Sequence, residues 1–177
     1  SYLPVIIPDN AQSFISGMQR FRGKFCLSSY CSGSSKLSAV MLLMMNRFIV
    51  FPVDLRYGWD IRYPAHQQLL QRVDMVLRPQ VTTMEPRCKY WSVAGNSRSL
   101  EKTQTLRASE LPGLEFLQRQ RVHLGKDQRD SLTENPDTSA LWTKSPLAND
   151  GSYTSNHFHM CPFDDKSDVR RQETYQI

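Results

Sequence analysis

The residues best spaced for metal chemistry are His157, His159 and Cys161, in the run HFHMC. On an extended strand, positions i, i+2 and i+4 share a face, so two imidazoles and a thiolate could converge on one ion. Zinc accepts such nitrogen and sulfur ligands in tetrahedral geometry. A fourth ligand would have to come from Cys26, Cys31 or Cys88. Structural zinc sites are normally built from two close ligand pairs, whereas Cys26 and Cys31 lie five positions apart in a Ser-rich stretch. No metal is therefore expected.

Catalytic motifs fare no better. The stretch GMQRFRGKF has five residues between Gly17 and Gly23, where a phosphate-cradling loop has four. It also places Phe25 where a hydroxyl must reach magnesium. There is no G-x-S-x-G, G-x-G-x-x-G or H-E-x-x-H. Asp54 and Asp60 flank aromatic and Arg residues with no sign of a tuned acid/base pair. The expectation is a non-enzymatic protein without a cofactor. An enzyme would require a pocket containing perturbed titratable groups.

Three stretches interleave cations with aromatic rings. QRFRGKF (19–25) carries Arg20, Arg22 and Lys24 against Phe21 and Phe25, and as a strand would present a cationic face and an aromatic face. DLRYGWDIRY (54–63) supplies Arg56, Tyr57, Trp59, Arg62 and Tyr63, and the stretch 87–98 supplies Arg87, Lys89, Tyr90, Trp91 and Arg98. Tyr, Trp and Arg dominate protein-binding hot spots and also stack on bases in RNA-binding modules. The competing reading is that the rings seal a small core and the Arg stems lie over them. Arg20, Arg22, Lys24, Arg56, Tyr57, Trp59, Arg62, Tyr63, Arg87, Lys89, Tyr90 and Trp91 form the expected partner-binding set. The terminal Tyr175-Gln176-Ile177 also has the form of a peptide that adds a strand to a PDZ-type groove.

Charge supports a polyanionic partner. The chain of 177 residues has a net charge of +5, distributed unevenly. Residues 1–126 hold 17 basic and 8 acidic side chains, and residues 127–177 hold 5 and 9. Such a basic body suits an acidic protein surface or nucleic acid. Lys and Arg do not cluster into the runs typical of strong nucleic-acid binders. The four cysteines are irregularly spaced and no Asn begins an N-x-Ser/Thr acceptor, which points to a reduced, intracellular setting, cytoplasmic or cytoskeletal. The most apolar stretch, LSAVMLLMMNRFIVF (37–51), is too short for a membrane span and is interrupted by Asn46 and Arg47.

The elements that must position these residues are few. LPVIIP (3–8) is extended between prolines, and Asp9 or Asn10 can cap a brief helix over 11–18. SSYCSGSS (28–35) reads as a flexible loop. The stretch 37–51 reads as a buried helix, or as a helix running into a strand at 48–53. PAHQQLLQRVDMVLR (64–78) is the clearest helix, with Pro64 in its first turn, one apolar stripe and Pro79 as its stop. A short strand or irregular loop follows over 80–106, then a second helix from Pro112 or Leu114 to Leu124, with Ser109 as a possible cap and Gly125 after its end.

Beyond Lys126 the chain is too polar to offset the entropy of ordering it. The expected fold is therefore mainly α with irregular and extended segments. A helix-containing basic body (1–126) would precede a disordered acidic tail (127–177). The expected function is docking, as a structural or interaction protein, on a larger intracellular assembly such as a microtubule or cilium. An RNA-associated subunit of a ribonucleoprotein particle such as a ribosome is the alternative.

Overall fold

A computed structural model describes residues 11–22, 25–31, 49–92 and 99–148, together with the backbone of the short strands at 157–159 and 174–176. Its centre is a four-stranded sheet built from β1 (Phe25–Tyr30), β2 (Ile49–Val53), β3 (Val81–Met84) and β4 (Asp130–Thr133), in the order β2-β1-β3-β4. Every pairing in it is parallel. Helix α1 (Ala11–Gln19) precedes the sheet, α2 (Pro64–Leu77) joins β2 to β3, and α3 (Leu100–Lys126) joins β3 to β4. A short α4 (Leu141–Lys144) follows. Three further strands, β5 (Asn135–Pro136), β6 (His157–His159) and β7 (Thr174–Gln176), form a small antiparallel sheet in the order β5-β7-β6.

The fold is thus a mixture of helices with a parallel sheet, which corrects the mainly α expectation. Buried parallel strands lack the alternation that betrays an exposed sheet. β1 (FCLSSY) was hidden inside an apparent Ser-rich loop: Ser28 and Ser29 are buried strand residues. The Thr83 hydroxyl donates to Ser29 Oγ at 2.9 Å across the β1–β3 pair, so these buried hydroxyls satisfy one another. β2 does lie where a strand was expected near 48–53, and Pro52 is tolerated because β2 is the sheet's edge. The segments 3–8 and 32–48, with the predicted apolar helix, lie outside the described residues.

α2 matches the predicted helix. Leu69, Leu70, Val73 and Leu77 are buried along one stripe, each contributing about 1.5–3 kcal/mol by its removal from water. Arg78 ends the helix in the left-handed conformation at φ 47°, immediately before Pro79. α3 begins a full three turns earlier than predicted, capped by Ser99, whose hydroxyl accepts from the Lys102 N–H at 3.3 Å. Its first half has little apolar content to announce it, and Pro112 lies within the helix rather than at its start.

Ordered elements continue beyond Lys126. β4 belongs to the central sheet, and Thr133, Asn135, Ser139, Leu141 and Leu147 are all buried. This polar stretch is ordered by hydrogen bonds as well as apolar area: the Trp142 indole donates to the Pro136 carbonyl at 2.9 Å, and the Ala140 N–H to the Trp91 carbonyl at 2.7 Å. Among the described residues, no helix is long and apolar enough to cross a membrane.

One ion pair clamps α2 to the entry of β4. Arg129 donates to both oxygens of Asp74, at 3.0 and 2.7 Å, and both side chains are more than nine-tenths buried. Removing one partner of a buried pair strands a charge at about 3–5 kcal/mol. Arg129→Met is expected to lower the unfolding free energy read from urea denaturation by that amount, with a lower midpoint, and Asp74→Leu on top of it to recover most of the loss. Equal midpoints for wild type and Arg129→Met would show that the pair holds nothing together.

Candidate functional site

All four parallel strands end on the same side, and polar residues follow three of the ends. The chain leaves β1 at Cys31 in the left-handed conformation, φ 60°. The Cys31 N–H donates to the Val53 carbonyl at 2.7 Å, which ties the end of β1 to the end of β2. After β2 comes Asp54, whose Oδ1 accepts from the Arg56 N–H at 3.0 Å and caps the 3-10 turn Leu55–Tyr57. Gly58 closes that turn at φ 85°, where any side chain would be strained. The turn carries Trp59 into the core.

After β3 comes Glu85, whose N–H donates to the Tyr30 carbonyl at 2.9 Å, then Pro86 and Arg87. The buried Asn135, just past β4, donates through Nδ2 to the Pro86 carbonyl at 2.7 Å and so fixes this turn.

A cavity of about 330 Å³ lies over these ends, within the range of small-ligand sites. Cys31, Asp54, Arg56, Pro86 and Arg87 line it from the strand ends; Trp59, Asp60, Ile61 and Arg62 line it from the loop after the 3-10 turn. Glu110, Gly113, Leu114 and Leu117 line it from α3. Gly113 allows close packing here: a Cβ would stand 3.2 Å from Ile61 Cγ1, and the Ile61 side chain would have to shift. Gln67 binds both segments, donating from Nε2 to the carbonyls of Ile61 (2.8 Å) and Pro112 (3.1 Å).

Two carboxyls in this cavity are pushed in opposite directions. Asp60 is held below the usual carboxylate range, first by the hydrogen bonds from Arg62, whose Nη2 lies 2.6 Å from Oδ2. Burial pushes Glu110 up, although the Trp91 indole donates to its Oε2 at 2.9 Å and Arg87 and Arg62 act against the rise. Burial likewise raises Glu85 at the end of β3, whose Oε1 is buried with no hydrogen-bond partner. The Cys31 thiol is pushed up to about 12 by burial, then by Asp54, Glu85 and Glu110. It remains protonated at neutral pH and is no nucleophile there.

The predicted partner-binding residues fall into separate places. Trp59 and Trp91 are 1% and 2% exposed and belong to the core. Trp59 packs edge-on to Phe51 at 5.9 Å, and the Arg107 guanidinium stacks 5.0 Å from the Trp91 ring. Arg56, Arg62 and Arg87 come together at the cavity, with Arg62 already paired to Asp60. Tyr57 and Tyr90 are half-buried against the core, Lys89 is exposed with its ammonium 5.9 Å from the Tyr90 ring, and Tyr63 is exposed.

The stretch 19–25 is not one alternating strand. Gln19 ends α1, and Arg20 and Arg22 lie in the turn that follows, with the Arg20 guanidinium 4.7 Å from the Phe21 ring. Only Phe25 is in β1, and Lys24 lies outside the described residues. β6 runs from His157 to His159, but the side chains of this candidate metal group, and Cys161 altogether, lie outside the description. Among the described residues no three His, Cys, Asp or Glu side chains cluster as metal ligands. The Tyr175-Gln176-Ile177 end contributes Tyr175 and Gln176 to β7.

Sequence reasoning missed Glu110, Glu85 and Gly113, and weighed Cys31 only as a metal ligand. A carboxylate inside a helix or a cysteine in a Ser-rich run carries no local signal, and only the parallel sheet brings them together. Comparison of the chain with protein-family models, with curated proteins and with solved structures returns no match.

Two measurements check this placement. Trp59→Ala is expected to destabilise the protein by roughly 3–5 kcal/mol, whereas Arg56→Ala changes stability by less than about 0.5 kcal/mol. Comparable effects from both would mean that Trp59 is not a core residue. For Glu85, a carboxyl raised by folding stabilises the fold fully below its unfolded pKa, and that contribution is lost as pH rises through the folded value. The stability of Glu85→Gln relative to wild type is therefore expected to increase between about pH 4 and pH 7. A difference that stays flat with pH would contradict the burial of this carboxyl.

Proposed function

We propose that the chain binds a nucleoside-type small molecule over the carboxyl ends of β1, β2 and β3, and that the cavity is an active site. The observation that carries this reading is the coincidence of the cavity with the topological switch point. β1 and β3 are neighbours, and the connection leaving the end of β1 runs to β2 on one side while the one leaving the end of β3 runs to β4 on the other. Open parallel sheets bind their ligands in the crevice formed there. In dinucleotide-binding sheets of this kind, an acidic residue past the second strand accepts from the ribose hydroxyls. Asp54 occupies that position, and it lines the cavity.

The remaining wall suits such a ligand. Ile61, Leu114 and Leu117 offer apolar contact for a base. Asp60 held ionised beside a Glu110 pushed toward its neutral form is the pattern of opposed carboxyls that acid/base catalysis uses. Glu110 is the group placed to hand over a proton.

A docking function toward an acidic protein surface draws support from a smaller set: the exposed Arg20, Arg22, Tyr63, Arg87 and Lys89. Two of the expected hot-spot aromatics are core residues and Arg62 is neutralised by Asp60. The cavity reading therefore takes precedence.

The test is thermal unfolding and titration calorimetry with adenosine, ATP, NAD and S-adenosylmethionine at millimolar concentration. At least one is expected to raise Tm, since a ligand bound only by the folded state stabilises it. Asp54→Asn keeps an acceptor for the Arg56 N–H but removes the charge. It is expected to weaken that ligand about tenfold, as loss of one charge-assisted hydrogen bond does. No shift with any of the four would remove the proposal, and binding unaffected by Asp54→Asn would place the ligand elsewhere.

A further inference from the structure

We infer that the ligand of this cavity is anionic, and that Arg56 and Arg87 hold its phosphate or carboxylate from opposite strand ends. The inference rests on the nucleoside reading above and adds the charge of the ligand. Three guanidiniums line the cavity. Arg62 is committed: its Nε and Nη2 grip Asp60 in a two-pronged pair. Arg56 and Arg87 are not. Neither guanidinium makes a hydrogen bond or ion pair among the described residues, and both are exposed at the mouth.

Their backbones are nonetheless fixed. Arg56 sits in the 3-10 turn capped by Asp54, with its N–H bonded to that carboxylate. Arg87 follows Pro86, whose carbonyl is held by the buried Asn135. Two arginines on immobile backbone, one past β2 and one past β3, present paired donor forks to whatever fills the space between. Planar guanidinium forks match phosphate and carboxylate oxygens in a bidentate way that a lysine does not. The acids facing them are Asp54, Asp60 and Glu110: Asp54 is engaged by the Arg56 N–H, Asp60 by Arg62, and Glu110 by the Trp91 indole. Arg87 acts on Glu110 through its charge, without an ion pair between them among the described residues.

The sequence already singled out Arg56 and Arg87 among its cation–aromatic stretches as partner-binding residues. The structure moves them from a presumed flat docking face to the two sides of one cavity.

The experiment compares adenosine, 5′-AMP and adenosine 5′-carboxylate by titration calorimetry, on the wild type and on the Arg56→Gln/Arg87→Gln double variant. The two anions are expected to bind roughly tenfold or more tightly than adenosine. In the double variant, the ratio of anion to adenosine affinity is expected to fall to near one. Circular dichroism and Tm confirm that the variant remains folded, as the exposure of both side chains implies.

A preference for AMP alone identifies phosphate as the group, and one for the carboxylate alone identifies carboxylate. Adenosine binding as tightly as both anions would overturn the anionic assignment and leave the nucleoside reading standing. Anion preference retained by the double variant would overturn the role of these two arginines. Failure of all three to bind would overturn both.

Discussion

The parallel pairing of β1 with β3 is the constraint on which the rest depends. These strands are neighbours in space but are separated in sequence by β2 and α2. Their register aligns Leu27 with Val81 and Tyr30 with Met84, so the two ends finish level. Because the chain departs from β1 toward β2 on one side and continues from β3 toward β4 on the other, nothing in the sheet itself can cover the ends between them. A crevice there is a consequence of topology. Its polar lining follows from the same cause, since chain leaving a sheet must satisfy its backbone groups at the surface.

What keeps the crevice from closing is the packing around it. The Gly58 turn sends Trp59 inward to meet Phe51 and Phe14, which seats the loop after β2 on the core. Gly113 lets α3 come within contact of Ile61, and Gln67 bridges the two. The Asp74–Arg129 pair sets where α2 lies relative to β4. The Phe14–Trp59 contact and Gln67 tie cavity-lining segments to α1 and α2, which line none of it. The cavity shape is therefore held from behind, and the guanidiniums of Arg56 and Arg87 face it with no hydrogen bond or ion pair among the described residues.

How much of this was legible in the sequence follows from the range of each interaction. α2 was legible because its stripe and its flanking prolines are local, and α1 for the same reason. β2 was half legible as an apolar run. β1 was not, because Ser28 and Ser29 resemble a loop until Thr83 from β3 supplies their partner. The first half of α3 was not, because it exposes most of its side chains and shows no stripe. The order of 127–148 was not legible from composition: Leu141 and Leu147 are fully buried, and hydrogen bonds from Trp142 to Pro136 and from Asn135 to Pro86 add partners that only the fold supplies.

The site shows the same division. Arg56, Trp59, Arg62 and Arg87 were noticed for their type, and three of the four are cavity residues with polar heads. What type could not reveal was which cations were already spent. Arg62 sits two residues from Asp60 and is neutralised by it; Arg56 sits two residues from Asp54, yet it is Arg56's backbone rather than its guanidinium that the carboxylate takes. Identical spacing thus gives one closed pair and one free cation. Both carboxylates accept the backbone N–H two residues on, at 3.0 Å in each case, but only Asp60 also receives the guanidinium of its arginine. A count of charges treats the two motifs as equal, and so does their backbone hydrogen bonding; the side-chain contact of Arg62 with Asp60 is what separates a salt bridge from a guanidinium left at the mouth of a cavity.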